Sequence, residues 1–313
     1  MKSHLISTEL QRYPVTENSQ GYYQPPMVSG PMVGQGSSQI NQTPTDTPMG
    51  SDHDTPPEKG GFLKLHNLSG IFIKQKMELL EIATGIETEN RYDVFALDKS
   101  GKKKGRKLFK CKEKSSCCAR QCLSGACRPF KMNISTLVEG EDDEYEPFLK
   151  LERPCKCTFL CFGRPEILVI LVEGGKKEYL GKIVDPFHCC GMGFDVYNKD
   201  NTKKYSIEGS CCQLGIWCKF PCEACQTIDF DVKSPSGEIL SSLQKKSQGC
   251  LKAAMSDSDN FALNFPKSCT LADKALLMSA VLFVDFRYFE EKGKHHHNDK
   301  NEHQHHDHKK HEK

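Results

Sequence analysis

Hydrophobic residues along most of this chain occur in short segments that are separated by polar turns. The segments are rich in β-branched and aromatic residues, and turn sequences such as Glu173-Gly174-Gly175 and Ser234-Pro235-Ser236-Gly237 lie between them. Short strands joined by hairpin turns are typical of an antiparallel sandwich or barrel. The predicted strands are 91–97, 129–138, 166–172, 178–184, 194–197, 204–207, 227–232 and 238–243.

One later segment differs from this pattern because it is continuously apolar. A predicted helix begins near Leu271 and ends near Phe289, and between Ala275 and Val284 only Ser279 is polar. A helix that is apolar on every face must be buried in protein or in lipid. Its apolar part would rise only about 22 Å, against roughly 30 Å of hydrocarbon in a bilayer.

A membrane span is therefore marginal, and the carboxylate of Asp285 inside it would cost a few kcal/mol. A closed barrel around this helix satisfies both patterns, because a closed sheet has no edge and its inner face is apolar. The sequence thus predicts a mainly β fold with a buried C-terminal helix.

Composition divides the chain into three parts. Residues 1–60 are rich in Ser, Thr, Pro, Gly and Gln and are predicted to be disordered, with Tyr22, Tyr23 and Pro25-Pro26 available to a protein partner. Residues 61–291 form the predicted folded domain, which opens with a predicted helix over 68–82. The tail 292–313 is predicted to be disordered, and its histidines offer a weak metal site as an alternative.

Charge and cysteine content exclude some classes of function. The net charge of +2 over 313 residues does not favour a nucleic-acid partner. The first residues lack the apolar core of a secretory signal, so the 17 cysteines are predicted to be thiols, metal ligands or acylation sites rather than disulfides. No nucleophile elbow, phosphate-binding glycine loop or zinc-protease motif occurs, and the chain is predicted not to be an enzyme.

An acidic segment precedes the apolar helix. Asp257 and Asp259, with the backbone carbonyls of Phe261 and Leu263, offer the hard oxygen ligands that calcium prefers. The twelfth position of such a loop is normally acidic, and here it is Ser268. A turn that caps the helix is the alternative interpretation.

The strings around this segment resemble the phospholipid scramblase family. Asp257-Ser-Asp-Asn-Phe-Ala-Leu-Asn-Phe-Pro266 and the helix end Val284-Asp-Phe-Arg-Tyr-Phe-Glu290 resemble its C-terminal signature. Over roughly residues 68 to 291, earlier blocks follow in the family's order. These blocks are Leu80-Glu-Ile-Ala-Thr-Gly-Ile-Glu-Thr-Glu-Asn-Arg-Tyr92, Cys127-Arg-Pro-Phe130, Leu151-Glu-Arg-Pro154 and Asp229-Phe-Asp-Val-Lys-Ser234.

This resemblance implies a tubby-like fold, a closed barrel of twelve antiparallel strands around the C-terminal helix. It also implies calcium-stimulated, ATP-independent movement of phospholipids between membrane leaflets, at the cytoplasmic face of the plasma membrane. The family's calcium ligands correspond to Asp257, Asp259, Phe261 and Leu263. Ser268 stands at the final acidic position, which predicts weaker calcium binding.

Two cysteine groups have candidate roles. The resemblance implies palmitoylation just before the strand at residue 166, where Cys155, Cys157 and Cys161 lie among apolar residues. At least two acyl chains are needed for stable anchoring. Zinc could be held by Cys218, Cys222 and Cys225, although small buried or loop thiols are the favoured alternative for that group.

A basic run between residues 99 and 112 holds eight Lys and Arg residues. Near an anionic leaflet each contributes about 1 kcal/mol of attraction. The alternative interpretations of this run are a nuclear localisation signal and a solvated hairpin tip. The predicted lipid contacts are Lys102, Lys103, Lys104, Arg106 and Lys107.

Two functions follow as hypotheses. The first is a membrane-associated scramblase, which would need oligomers to form a polar path across the bilayer. The second is a non-transporting adaptor that binds anionic lipid or a protein and signals, with a role in the nucleus. The position of the helix 271–289, across the membrane or inside the barrel, distinguishes them.

Overall fold

Twelve strands of the described part of the chain close into one antiparallel barrel. This computed structural model describes residues 60–76, 89–115, 129–138, 140, 143–154, 163–188, 191–217, 223–246 and 260–289. The strands are β1 (Gly70–Lys76), β2 (Arg91–Leu97), β3 (Lys103–Lys114), β4 (Phe130–Leu137), β5 (Tyr145–Arg153), β6 (Glu166–Leu171), β7 (Glu178–Val184), β8 (Gly191–Asn198), β9 (Lys203–Ser210), β10 (Thr227–Lys233), β11 (Ile239–Lys246) and β12 (Asn260–Asn264).

Each strand pairs with its neighbours in the sequence, and β1 pairs with β12 to close the barrel. Short helical segments and one long helix accompany the strands. They are α1 (Gly60–His66), a 3-10 turn (Glu173–Gly175), α2 (Leu214–Trp217), α3 (Glu223–Gln226) and α4 (Leu271–Tyr288). The predicted tails 1–59 and 290–313 lie outside the described residues.

All eight predicted strands are confirmed. The predicted helix over 68–82 is wrong over 70–76, and its residues 77–82 lie outside the described part of the chain. Residues 70–76 form β1, in which Ile71 and Ile73 alternate into the core and pair with residues of β2 and β12. A short apolar run fits either period, and here pairing on both sides selects the strand. The sequence also did not predict β3, β5 and β12.

Helix α4 lies inside the barrel, as predicted. Its residues approach strands on several sides, so it occupies the interior rather than covering one face. Between ring centres, Phe286 is 4.2 Å from Phe130 of β4, and Phe283 is 4.6 Å from Phe194 of β8. On the β2 side, the Tyr92 hydroxyl donates a 2.6 Å hydrogen bond to Asp285.

The start of α4 is capped twice. The Thr270 hydroxyl accepts from the Asp273 amide, and the Asp273 carboxylate accepts from the Thr270 amide, which is a capping box. The Lys274 ammonium donates to three carbonyls at the end of α1 and just after it, at 2.8–3.0 Å. These acceptors belong to Leu65, His66 and Leu68, and they fix α1 beside the first turn of α4.

Antiparallel order gives the barrel two different ends. At the hairpin end, short turns join β2 to β3, β4 to β5, β6 to β7, β8 to β9 and β10 to β11, and α4 begins there. At the loop end, the chain joins β1 to β2, β3 to β4, β5 to β6, β7 to β8, β9 to β10 and β11 to β12. Helix α4 ends at the loop end, where Tyr288 contacts Gly193 and Asp185.

Candidate functional site

The predicted calcium ligands fall at different places in the fold. Asp257 and Asp259 lie outside the described residues, just before the loop-end start of β12. Phe261 and Leu263 are buried in β12, and the Phe265 amide bonds to Ser69 ahead of β1. Because backbone groups alternate between sides along a strand, the carbonyls of Phe261 and Leu263 face β1 inside the ladder.

Ser268 lies at the other end of β12. It is exposed in the turn between β12 and α4, at the hairpin end, and the five residues of β12 separate it from the acidic segment. Four strand rises of about 3.3 Å set these two positions roughly 13 Å or more apart. The structure therefore does not bring Ser268 to the start of β12, and the calcium site stays a prediction.

The cysteines with predicted roles lie almost entirely outside the described residues. These are Cys155, Cys157, Cys161, Cys218 and Cys222, and their acylation or zinc binding stays a prediction. Cys225 is described, and it is buried in α3. Within the described ranges, no group of three or more His, Cys, Asp or Glu side chains could hold a metal ion.

The strand ends that flank these undescribed segments nevertheless lie at the same end of the barrel. The segment 155–162 leaves from the end of β5, the segment 218–222 lies between β9 and β10, and the segment 247–259 leads into β12. All three attach to strand ends at the loop end of the barrel. This shared end could not be predicted from the sequence, because the segments are far apart along the chain.

The predicted lipid contacts are described, and they belong to a structured hairpin. Lys102, Lys103, Lys104 and Arg106 are exposed around the β2–β3 turn and the start of β3, and Lys107 is partly buried. The Asp98 carboxylate accepts the amides of Ser100 and Lys102 at 2.9 and 2.8 Å. These bonds, led by that of Lys102, lower the pKa of Asp98 and fix the turn.

The turn is also attached to the barrel wall. The Lys246 ammonium on β11 donates to the carbonyl of Gly101 at 2.9 Å, and Gly101 has a φ of 73° that favours glycine. The Lys103 ammonium lies 5.1 Å from the centre of the Phe95 ring. The segment is thus a hairpin tip with a held backbone and exposed basic side chains, and its contact with lipid stays a prediction.

Further basic residues extend this surface toward the loop end. Lys76, Arg91 and Lys112 lie directly opposite one another on β1, β2 and β3, and Lys114 lies opposite Lys131 on β4. Like charges at directly opposite positions are destabilising. We call the surface formed by these five residues and the hairpin residues Lys102, Lys103, Lys104 and Arg106 the basic face.

Acidic residues offset only part of the basic face. The Asp93 carboxylate pairs with Lys76 at 3.0 Å and with Lys107 at 3.7 Å, and Glu89 pairs with Lys112 at 3.7 Å. Nine cations on one side of a chain with a net charge of +2 make this side strongly positive relative to the rest. Such a surface suits an anionic partner.

A second polar cluster, which the sequence did not predict, holds the end of α4. Asp185 is buried between Arg164 and Arg287, each 2.9 Å from one of its oxygens. Tyr288 accepts the Gly193 amide at 3.0 Å, and burial together with the nearby Asp185 charge raises the pKa of Tyr288 to about 12. The signal in the sequence was the Asp285–Arg287–Tyr288 group at the end of an apolar helix.

Among the helices of the described residues, none combines the length and the apolar character that a membrane crossing needs. The inner position of α4 is a separate observation, and it rests on the ring and hydrogen-bond contacts given above.

Comparisons with known proteins agree with the resemblance seen in the sequence. The Scramblase family model matches residues 54–291. Phospholipid scramblase 1 of Rattus norvegicus is 30% identical, over 77% of this chain and 64% of the relative. Phospholipid scramblase 2 of Bos taurus is 30% identical over 74% of this chain and 71% of the relative, and phospholipid scramblase 4 of Homo sapiens is 28% identical over 83% and 71%.

The match covers less than the full length of these relatives. This chain spans just under two thirds of the length of the rat protein. No solved structure matches the chain significantly.

Proposed function

This chain belongs to the scramblase family, and from that premise we propose that it moves phospholipids in both directions between membrane leaflets, without ATP hydrolysis and under stimulation by calcium. The observation that carries the proposal is the extent of the family match. Residues 54–291 include every strand of the barrel and all of α4. The protein would then be a lipid transporter rather than a catalytic enzyme.

The packing of the barrel limits how lipid could move. The interior is filled by α4 and by aromatic side chains such as Phe130, Phe194 and Phe283, so a headgroup has no path along the barrel axis. The proposed mechanism is therefore a local distortion of the bilayer by the barrel's outer surface. Oligomers would increase that distortion by bringing several surfaces to one place.

The basic face supplies the attraction to a membrane. Near an anionic leaflet each Lys or Arg contributes about 1 kcal/mol, and the contribution falls off within a Debye length. This chemistry favours the anionic cytoplasmic leaflet of the plasma membrane. Acyl chains on at least two of Cys155, Cys157 and Cys161 would convert this reversible attraction into stable anchoring.

Calcium stimulation is proposed through Asp257 and Asp259 at the start of β12. Their carboxylates are hard oxygen ligands, and the proposal includes the carbonyls of Phe261 and Leu263. Since those carbonyls face β1 within the ladder, calcium binding would have to draw on their second lone pairs. With Ser268 distant and uncharged, the expected affinity for calcium is weak.

A separate proposal is a structural zinc ion on Cys218, Cys222 and Cys225 in the β9–β10 connection.

The experiment that tests this proposal is a dithionite-quench assay. The full chain is reconstituted into liposomes of phosphatidylcholine and phosphatidylserine that contain a fluorescent phospholipid. Dithionite destroys only the fluorescence that reaches the outer leaflet. We expect loss beyond the outer-leaflet fraction, faster with calcium, and we expect the calcium effect to be lost in D257N/D259N.

A matched control removes two acids elsewhere. D200N/E238Q changes the net charge by the same amount at exposed turns of the hairpin end and should respond to calcium like the unmodified chain. Equal responses in both double variants would overturn the calcium site. Protection of the inner leaflet in every sample, with the protein confirmed on the vesicles, would overturn lipid movement itself.

One observation favours a second candidate, a non-transporting adaptor. Helix α4 is the most apolar segment of the chain, and it is used to fill the barrel. An adaptor needs only the filled barrel and the basic face to hold it at a membrane or on an acidic protein, with the N-terminal Pro-rich segment as a protein contact. Vesicle binding without loss of inner-leaflet fluorescence would support this candidate, and nuclear accumulation in cells would extend it.

A further inference from the structure

The loop end of the barrel presents three large apolar side chains to solvent. Phe187 is 59% exposed between β7 and β8, and Leu214 and Trp217 are 58% and 76% exposed on α2 between β9 and β10. Both connections lie at the same end, two strands apart. We call Phe187, Leu214 and Trp217 the apolar rim.

The backbone that carries the rim on α2 is held by polar contacts. The Gln213 amide group donates to the carbonyl of Asp229 at 2.8 Å and accepts the Asp229 amide at 2.7 Å. The Trp217 indole N–H donates to the carbonyl of Cys211 at 2.7 Å. A methyl group on Gly215 would come within 2.3 Å of the Thr227 carbonyl, so α2 lies directly against β10.

The segment that carries Phe187 is held in the same way. Arg164 donates to the carbonyls of Asp185 and Pro186 at 2.8 and 3.0 Å, and its guanidinium also pairs with the Asp185 carboxylate. The residue immediately before Phe187 is therefore fixed to the barrel. The rim residues are exposed because the fold holds their backbone in position, which distinguishes them from side chains on a loose loop.

The segment that carries Leu214 and Trp217 differs in charge from the turns of the hairpin end. Residues 209–217, which carry two of the rim residues, include no Asp, Glu, Lys, Arg or His. The turns of the hairpin end are charged throughout, with Asp98 and Lys99, Asp143 and Glu144, Lys176 and Lys177, Lys199 and Asp200, and Glu238. Two further exposed hydrophobic residues, Tyr179 and Ile239, lie at the hairpin end, and each directly follows a glutamate.

We propose that the loop end is the end that contacts the bilayer, with Phe187, Leu214 and Trp217 inserted at the boundary between headgroups and acyl chains. Aromatic residues and leucine are favoured at that depth. This inference rests on the proposed function, because it names the lipid surface on which that function acts.

The basic residues at the loop end favour a bilayer as the partner of the apolar rim. The loop-end half of the basic face consists of Lys76, Arg91, Lys112, Lys114 and Lys131, all within three residues of a strand end there. These cations and the apolar rim lie on opposite walls of the same end. An end that carries both apolar side chains and cations matches a surface whose acyl chains lie beneath anionic headgroups. Segment 155–162, proposed to carry acyl chains, leaves the barrel at this end as well.

The chain contains its own probe for this contact, because Trp217 is its only tryptophan. The full chain is mixed with vesicles of phosphatidylcholine and phosphatidylserine, and tryptophan emission is recorded. We expect a blue shift on binding and quenching by phospholipids that are brominated near the top of the acyl chain. Bromines at the end of the acyl chain should quench less, because the proposed depth is interfacial.

A pair of variants tests the rim by vesicle sedimentation. F187S/L214S keeps Trp217 and should weaken partitioning by about tenfold or more, since two apolar side chains no longer leave water. Y179S/I239S removes two exposed hydrophobic residues from the hairpin end and should leave partitioning unchanged. Circular dichroism confirms that both variants are folded.

The outcomes separate this inference from the proposed function. Sedimentation with vesicles while Trp217 emission stays as in water would overturn the inference, and so would equal partitioning of the two variants. A blue shift that depends on protein concentration without vesicles would instead assign the rim to a second copy of this chain. Inner-leaflet protection in the dithionite assay, with the Trp217 shift intact, would overturn lipid movement and retain the membrane contact.

Discussion

Two charged residues inside the barrel, Asp285 and Arg153, contact partners that are far away in sequence. Asp285 lies in the apolar helix and accepts from Tyr92 at 2.6 Å across 193 residues. The Arg153 guanidinium lies 5.5 Å from the centre of the Phe286 ring. Because a buried polar group without a partner is costly, the bond from Tyr92 helps to explain how an acid can remain beside so many apolar residues.

The hydrogen bond between Tyr92 and Asp285 should be important for stability. Y92F removes the hydroxyl and leaves a buried carboxylate with one donor fewer, so we expect the free energy of unfolding to fall by about 1–3 kcal/mol. Urea denaturation monitored by circular dichroism measures this change. Y197F, which removes a hydroxyl 3.5 Å from Asp195 on the outer surface, serves as the control. An equal effect in both variants would contradict the assigned role.

The raised pKa of Tyr288 predicts how the stability of the fold changes at alkaline pH. Burial raises its pKa to about 12, from an ordinary value of 10.0. Between these values the unfolded chain releases the proton while the folded chain keeps it, so the unfolded state binds fewer protons and stability falls as pH rises. Y288F should flatten this fall between about pH 10 and 12. Chemical denaturation at several pH values measures it, and unchanged slopes would contradict the prediction.

Lys274 acts in the opposite direction. Desolvation lowers its pKa, so the folded chain loses this proton at a lower pH than the unfolded chain does. In that window the unfolded state binds more protons, and stability rises with pH. The Lys274 window lies below pH 10.5 and the Tyr288 window lies above pH 10.0, so the two effects overlap only narrowly. The effect of Tyr288 is best measured as a difference between Y288F and the unmodified chain.

At the scale of elements, the β2–β3 hairpin is the most distinctive part of the surface. Its backbone is fixed by Asp98 and Lys246, while its lysines point outward. A rigid turn loses less conformational freedom when it meets a surface than a flexible one does. The hairpin is therefore expected to contribute to binding as a unit rather than through one dominant residue.

Removing the hairpin's charge should weaken membrane binding. For K102Q/K103Q/K104Q/R106Q we expect a loss of up to about 4 kcal/mol in binding to anionic vesicles, at about 1 kcal/mol per charge, and a weaker dependence on salt. Sedimentation with phosphatidylserine vesicles measures both. K176Q/K177Q/K199Q/K204Q removes the same charge elsewhere on the surface. If the two variants lose equal affinity, binding depends on net charge and not on the hairpin.

Physical reasons explain why some elements could not be predicted from the sequence. In β3, Phe109 and Cys111 alternate inward, but the third inward position is Glu113, which accepts hydrogen bonds from Asn90. A buried glutamate among lysines interrupts the alternation of apolar and polar residues by which a strand is recognised in a sequence. β12 was interpreted only as part of an acidic loop, because Asp257 and Asp259 dominate its N-terminal side. Helix α4 was predicted well because its apolar run is long and its cap is local.

At the scale of the whole molecule, closure of the barrel gathers features that are spread along the sequence. The sequence identified the candidate acidic segment, the cysteines and the basic run one at a time. It could not place the first two at one end, because that requires the order and direction of all twelve strands of the described barrel. The apolar rim was missed for a related reason, since exposure of Trp217 depends on the packing of α2 against β10.

The position of α4 has a consequence for biosynthesis. The strand that closes the barrel and the helix that fills it are the last parts of the fold to leave the ribosome, because β12 begins at Asn260 and α4 ends at Tyr288. Until then, eleven strands have an apolar inner face with nothing to cover it, and such surfaces are prone to aggregate. The closing pairs, such as Gly70 with Asn264, join residues almost two hundred positions apart, which slows folding. A nascent chain of this protein is therefore expected to need a chaperone until its final helix is made.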